Sequence, residues 1–148
     1  MSGQKGLPFP KGSFVWTRFP FGPPDRPDRP GPVRHIAYVL GFREVSSGLQ
    51  VLLAYTSSGP WRGRAGSPPL GVVEFSDAEA KALGQRAFHI DLRCLARLPP
   101  TAPWFPDIVA SGQGVVGTAG ARLQERLLRV ADEAATRSPE LIEVRGPR

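Results

Sequence analysis

The chain has 148 residues, of which 41% are hydrophobic, and this amount of apolar sequence is enough for one core but not for two. It carries 19 Lys and Arg against 13 Asp and Glu, a formal net charge of +6 that is typical of proteins which contact polyanions. A single cysteine excludes an intramolecular disulfide and a cysteine-based zinc site, and no apolar run approaches the roughly 18 residues of a membrane span.

The 17 glycines and 17 prolines favour many short connections and a compact sheet-based fold over a helical bundle. We expect a single domain over residues 13–137, preceded by a flexible segment, 1–12, and followed by a tail, 138–148. Cys94 lies between apolar residues and is predicted to be a small buried side chain. The reduced cysteine and the lack of a signal-peptide apolar segment predict a cytoplasmic protein without a membrane partner.

The first predicted strand begins at Ser13 in the segment SFVWTRFPF, where aromatic and β-branched residues alternate. A loop from 22 to 33 follows, and its five prolines exclude a helix or an inner strand. Long loops in small domains often carry function. Because guanidinium groups bind phosphate in a bidentate manner, we predict that Arg18, Arg26 and Arg29 contact nucleic acid.

Two near-continuous apolar runs, HIAYVLGF and LQVLLAY, are separated by REVSSG, which is typical of a turn, so we predict a β-hairpin. Antiparallel pairing would bring Arg34, before the first run, to the same sheet edge as Thr56 and Ser57, after the second. A guanidinium beside hydroxyl groups can hold a phosphodiester. Thr-Ser-Ser is also ordinary turn chemistry, and His35 is either an acid or base at this site or a solvent-facing strand residue.

The stretch SGPWRGRAGSPPLG is irregular, and it places an aromatic side chain among basic residues. Trp61, Arg62 and Arg64 are therefore predicted to contact nucleic acid, because aromatic rings stack on the bases of single strands. Trp16, in the first strand, is instead predicted to lie in the core.

The remaining elements complete a mainly β domain. The run VVEF predicts a short strand, Ser76 and Glu79 form a capping-box pattern that opens a helix closed by Gly84, and FHIDLRCL alternates like a further strand. Apolar residues recur at helical spacing over 118–137, which predicts an amphipathic helix lying against the sheet. The tail, 138–148, is predicted either to be disordered or to add an edge strand.

The order of these elements resembles the PemK/MazF family of toxin endoribonucleases from toxin-antitoxin modules. GSFVWTRFPFG is similar to the family's opening strand, VRHIAYVLGF to its second, LLAYTSS to the end of its third, and GTAGARLQERLLRVADEA to its C-terminal turn and helix. His35 stands where the family has a proline. The resemblance covers most of residues 12–136 and implies a mainly β fold, a small, antiparallel, partly closed SH3-like barrel with a short helix and a C-terminal helix.

The resemblance implies an endoribonuclease that cleaves single-stranded RNA without a metal or another cofactor. It assigns to Arg34 and Thr56 the stabilisation of the scissile phosphate during attack by the ribose 2′-hydroxyl, with Ser57 as a further donor and His35 as a candidate acid or base. An intramolecular nucleophile leaves the protein mainly with orientation and charge stabilisation. The resemblance also implies a homodimer held in check by an antitoxin protein.

Two other interpretations fit the same residues. One is a non-catalytic module on the same scaffold that binds nucleic acid, or a protein target such as gyrase. The other is a relative that has lost both activities. Convergence of Arg34 and Thr56 on one phosphate would favour the enzyme over both alternatives.

Overall fold

A computed structural model describes residues 9–20, 34–46, 48–62, 67–107, 114–137 and 142–144. These residues form seven strands together with two regular helices. The strands are β1 (Ser13–Thr17), β2 (His35–Val45), β3 (Gly48–Ser58), β4 (Val72–Phe75), β5 (Phe88–Leu98), β6 (Val115–Thr118) and β7 (Ile142–Val144), and the helices are α1 (Asp77–Lys81) and α2 (Ala121–Arg137).

The strands form one sheet in the order β4-β5-β3-β2-β1-β6, and each neighbouring pair is antiparallel. β7 pairs in parallel with β5 beside Cys94–Ala96, so the tail adds an edge strand, one of the two predicted outcomes. The prediction of a mainly β fold with helical additions is confirmed.

The sheet is not closed into a barrel within the described part of the chain, because β4 and β6 stand at opposite ends of the strand order. The turn after α1 lies against β6 instead. Gly84 in this turn has a φ of 71°, and a Cβ there would lie 2.5 Å from the carbonyl oxygen of Val116. Gly117 likewise lies against the carbonyl of Leu83. Close backbone packing, which glycine permits, therefore bridges the gap without strand pairing.

β2 and β3 form the predicted hairpin, and both strands are longer than predicted. They pair from Ala37 opposite Tyr55 to Val45 opposite Gly48, so most of the predicted turn segment is strand. Gly48 has a φ of 126°, a conformation that side chains disfavour. At the other end of the hairpin, β2 begins and β3 ends at the same edge of the sheet, as antiparallel pairing predicts.

The sheet buries apolar side chains on both faces, which explains why the central strands are apolar almost throughout. One core cluster packs under α2 and includes Phe14, Tyr38 and Leu127. The opposite cluster includes Val15 and Leu53. The predicted apolar face of the second helix is thus confirmed.

Two of the predicted boundaries can be compared directly with the structure. The C-terminal helix begins at Ala121, not at Thr118, because Thr118 pairs with Ser13 and ends β6. At the N-terminal end, Phe9 is 2% exposed and its ring lies 5.3 Å from that of Phe105. The packed core therefore includes a residue from the segment before Ser13.

The predicted capping box at the start of α1 is confirmed. The Glu79 backbone N–H donates to the Ser76 hydroxyl at 3.2 Å, and the Ser76 N–H donates to the Glu79 carboxylate at 3.0 Å. These hydrogen bonds hold the pKa of the Glu79 carboxyl below its usual range. The helix is short, so this cap largely determines where it begins.

Candidate functional site

An open cleft of about 710 Å³ lies at the sheet edge where β2 begins and β3 ends. All of the predicted catalytic residues are in its lining. The lining residues are Trp16, Arg34, His35, Ile36, Thr56, Ser57, Ser58, Asp77, Gly84, Gln85, Arg86, Ala87, Phe88 and Val116. The hairpin register therefore brings together the side chains that the sequence analysis singled out.

Arg34 lies on the rim of this cleft, with its side chain 50% exposed. Its Nη1 donates to Asp107 Oδ2 at 2.8 Å, and its guanidinium carbon lies 5.1 Å from the centre of the Trp16 ring. Trp16 is therefore a half-buried platform for Arg34, and its predicted place in the core is wrong. An exposed ion pair of this kind is worth at most about 1 kcal/mol, so an incoming phosphate can compete with Asp107 for the guanidinium.

The Thr56 hydroxyl is buried and already engaged. It donates to the backbone carbonyl of Ile36 at 2.5 Å and so fastens the end of β3 to the start of β2. In this arrangement its proton is committed, and the oxygen can only accept from a ligand. Ser57 and Ser58 bring two further hydroxyl groups to the lining.

His35 is half-buried in the cleft lining, with its ring centre 6.1 Å from that of Tyr55. It is both the first residue of β2 and part of the cleft lining, so its role as an acid or base stays a prediction. An imidazole can act as a general acid or base when it lies within hydrogen-bond reach of the transferred proton.

The sequence analysis missed the wall of the cleft formed by Gln85, Arg86 and Ala87. Arg86 adds an exposed guanidinium to the lining, and the Ala87 N–H donates to the Asp77 carboxylate at 2.9 Å. The signal that could have located this wall is the position of GQRA between the capped helix and the strand FHIDLRCL. That strand pairs with β3, and Phe88 lies opposite Ser58.

The two predicted nucleic-acid-binding arginines that the structure describes do not line the cleft. Arg26, Arg29 and Arg64 lie outside the described residues. Arg18 and Arg62 are described but lie outside the cleft lining. Among the described residues, the guanidinium groups in the cleft lining are those of Arg34 and Arg86.

Trp61 also lies outside the cleft lining. The guanidinium of Arg93 sits 5.2 Å from the centre of its ring, and the His89 ring meets it edge-on at 5.9 Å. The Trp61 backbone N–H donates to Glu74 at 2.9 Å. Trp61 thus packs on buried polar side chains of β5, which cover part of its ring, and its contact with a base stays a prediction.

Asp91 and Arg93 form a buried ion pair next to Trp61. The Nε and Nη2 of Arg93 each donate to the Asp91 carboxylate at 3.0 Å, and the Arg93 backbone N–H donates to the same carboxylate at 3.0 Å. The β3–β5 pairing jumps here from Leu95 to Asp91, so the ion pair sits at an irregularity in β5. Its geometry is that of a structural support for the strand.

Within the described ranges, His, Cys, Asp and Glu side chains form no group of three or more that could hold a metal ion. The helices in this part of the chain are too short or too polar to cross a membrane. The sequence matches no protein-family model, and a search of curated proteins finds no significant match.

Proposed function

We propose that the protein is an endoribonuclease of the PemK/MazF type that cleaves single-stranded RNA in this cleft without a metal ion. The observation that carries the proposal is the convergence of Arg34, His35 and Ser57 on one cleft at the edge of the hairpin, with Arg86 in the same lining. Guanidinium and hydroxyl groups can stabilise the charge that develops in a phosphodiester reaction, and an imidazole can transfer its protons.

In the proposed reaction, the ribose 2′-oxygen forms a bond to the adjacent phosphorus and the bond from phosphorus to the 5′-oxygen breaks. Arg34 and Arg86 would stabilise the negative charge that develops on the phosphate oxygens. His35 is the candidate for accepting the 2′-hydroxyl proton or for protonating the leaving 5′-oxygen. Ser57 is the proposed hydroxyl donor, whereas Thr56 holds the Ile36 carbonyl and positions the strand ends.

Two contacts favour the alternative of a non-catalytic module that binds nucleic acid or a protein on this scaffold. Arg34 is paired with Asp107, and the Thr56 proton is engaged within the fold. A module that binds a protein through other residues could keep this arrangement, whereas binding or cleavage of RNA requires Arg34 to exchange Asp107 for the phosphate. Cleavage and binding therefore have to be measured separately.

The test is incubation of a long single-stranded RNA with the purified protein in chelator, using wild type, Arg34→Ala, His35→Asn and Arg122→Ala. Arg122 is an exposed arginine of α2 outside the cleft, so Arg122→Ala removes the same charge without changing the site. We expect discrete fragments with 5′-hydroxyl ends from wild type and Arg122→Ala. Arg34→Ala should lose about a hundredfold or more in cleavage rate, the cost typical of removing one charge-stabilising donor.

Intact RNA after incubation with folded, antitoxin-free wild type would reject the ribonuclease proposal. Retained RNA binding in that case would support the binding module, and loss of both activities would support a relative that has neither. Equal cleavage by Arg34→Ala and wild type would place the reaction elsewhere.

The same family resemblance leads us to propose a cytoplasmic homodimer that a partner antitoxin inhibits. Sedimentation of the purified chain tests the dimer. Copurification with the product of a neighbouring gene tests the antitoxin. A monomer that cleaves RNA fully would reject the need for a dimer.

A further inference from the structure

Ser58 places an exposed hydroxyl group in the lining of the cleft. It is the last residue of β3, and its side chain is accessible to solvent. No hydrogen bond from its hydroxyl to another described residue is found, whereas the Thr56 proton is held by the Ile36 carbonyl. A serine hydroxyl donates one hydrogen bond, so Ser58 can offer a ligand the donor that Thr56 cannot.

Strand pairing places the Ser58 side chain on the face of the sheet that carries the cleft. Ser58 lies directly opposite Phe88, and directly opposite residues point to the same face. Phe88 belongs to the core cluster under α2 and also lines the cleft. Ser57 lies opposite His89, and neighbouring strand residues point to opposite faces, so the two serines approach the cleft from different sides of β3.

Arg34 lies on the same face as Ser58. Its guanidinium sits over the Trp16 ring, and Trp16 lies directly opposite Ile36. Ile36 packs against the core cluster under α2, which is the cluster that contains Phe88. The guanidinium and the Ser58 hydroxyl therefore approach the cleft from one side of the sheet.

The register of the hairpin also sets Arg34 across from Ser58. The β2–β3 pairing places Ala37 opposite Tyr55, and continuing it by three residues brings Arg34 opposite Ser58. The hydrogen bond from Thr56 to the Ile36 carbonyl shows that the two strand ends still run side by side between these points. Opposite Cβ atoms in an antiparallel pair lie about 4.5–5.5 Å apart, so both side chains can contact one phosphate group.

The backbone on either side of Ser58 is fixed. Thr56 fastens β3 to β2 two residues before, and the Gly59 N–H donates to the Ala87 carbonyl at 2.9 Å immediately after. Gly59 has a φ of 76°, so the chain turns away at the end of the strand. The hydroxyl is thus presented from a rigid element, and a preorganised donor needs little rearrangement when charge develops on a ligand.

We propose that Ser58 is a further catalytic residue, whose hydroxyl donates a hydrogen bond to a non-bridging oxygen of the scissile phosphate opposite Arg34. This inference rests on the proposed function of the cleft. No bond to Ser58 forms or breaks, because the hydroxyl keeps its proton while the 2′-oxygen attacks and the 5′-oxygen leaves. A donor aimed at the charge that develops on the phosphate acts mainly in the transition state, so its loss should lower kcat more than it raises KM.

The test uses a short RNA that spans a cleavage site mapped with wild type. The RNA is prepared with the normal phosphate at that site and as each of the two phosphorothioate diastereomers, in which sulfur replaces one non-bridging oxygen. Cleavage is measured with wild type, Ser58→Ala, Ser57→Ala and Ser46→Ala. Ser46 is the matched control, because it is an exposed serine in the turn at the opposite end of the same hairpin and lies outside the cleft lining. Circular dichroism confirms that each variant is folded.

Ser58→Ala should lower kcat for the normal RNA about tenfold or more, the effect of removing one hydrogen bond to a charged group, and Ser46→Ala should cleave like wild type. Sulfur accepts hydrogen bonds weakly, so wild type should itself be slow on the diastereomer that carries sulfur at the contacted oxygen. Ser58→Ala should slow that substrate little further, because the variant and the sulfur remove the same hydrogen bond. The other diastereomer should show the full loss.

An unchanged kcat in Ser58→Ala would overturn the inference, and so would an equal loss on all three substrates, which is the result expected of a structural role. Loss of the difference between diastereomers in Ser57→Ala, with the difference kept in Ser58→Ala, would assign the contact to Ser57 instead. Each of these results leaves the ribonuclease proposal intact. A folded wild type that cleaves no RNA rejects the ribonuclease proposal and this role of Ser58 together.

Discussion

The buried pair of Asp91 and Arg93 allows a quantitative test of how this sheet is stabilised. Their side chains are 9% and 4% exposed, and the Arg93 side chain donates both Nε and Nη2 to the carboxylate. Replacing Asp91 by alanine would leave the guanidinium buried without this carboxylate, beside the ring of Trp61. The exposed pair of Arg34 and Asp107 provides the comparison, with side chains 50% and 31% exposed.

Removing one partner of a buried ion pair costs about 3–5 kcal/mol, and removing one partner of an exposed pair costs at most about 1 kcal/mol. We therefore expect Asp91→Ala to lower the free energy of unfolding by about 3–5 kcal/mol, out of a total of about 5–15 kcal/mol for a domain of this kind. The corresponding fall in Tm is roughly 6–20 °C. Asp107→Ala should lower the Tm by roughly 4 °C at most.

Urea denaturation of wild type, Asp91→Ala and Asp107→Ala measures the loss of unfolding free energy in each variant. The double variant Asp91→Leu/Arg93→Met should recover much of the loss, because an apolar pair of similar volume removes the buried charge as well. A difference of less than about 1 kcal/mol between the unfolding free energies of the two single variants would refute the larger cost expected for the buried pair.

Three further predictions follow from single side chains. Burial raises the pKa of the Cys94 thiol from 9.0 to about 12, so Cys94 should react far more slowly with iodoacetamide at pH 8 in native protein than in urea-unfolded protein, and equal rates would contradict this. The same shift should lower the free energy of unfolding only as the pH rises from about 9 towards 12. Gly84→Ala should lower the free energy of unfolding by about 2 kcal/mol or more, because the φ of 71° at Gly84 disfavours a side chain. Gly41→Ala, where a Cβ meets nothing within 4 Å, should lower it by less than about 1 kcal/mol, and equal losses in urea denaturation would contradict this prediction. Arg34→Ala should reduce the slope of log affinity for single-stranded RNA against log salt by about 0.7, while an unchanged slope would show that Arg34 does not bind phosphate.

Local sequence was sufficient to predict the hairpin and the capped helix. The apolar runs on either side of REVSSG set the pairing of β2 with β3, and Ser76 with Glu79 set the start of α1. Because antiparallel pairing is a geometric consequence of a hairpin, the sequence also predicted that Arg34 and Thr56 share one edge. The start of the second helix was wrong by three residues, since Thr118 pairs with β1, and that contact is not local.

Only the tertiary structure decided which other side chains line the cleft beside Arg34 and Thr56. Gln85 and Arg86 reach the cleft because α1 returns the chain to the end of β3, and the Thr56 proton is committed because the Ile36 carbonyl lies within reach. The Trp61 ring packs on the guanidinium of Arg93 because the assembled sheet brings these two distant residues together. The sequence by itself determined most of the segments that become strands and helices, because those preferences depend on neighbouring residues, but it did not predict β6, which pairs with the distant β1. Which side chains meet at the cleft depends on contacts between distant segments, and these form only when the whole sheet is assembled.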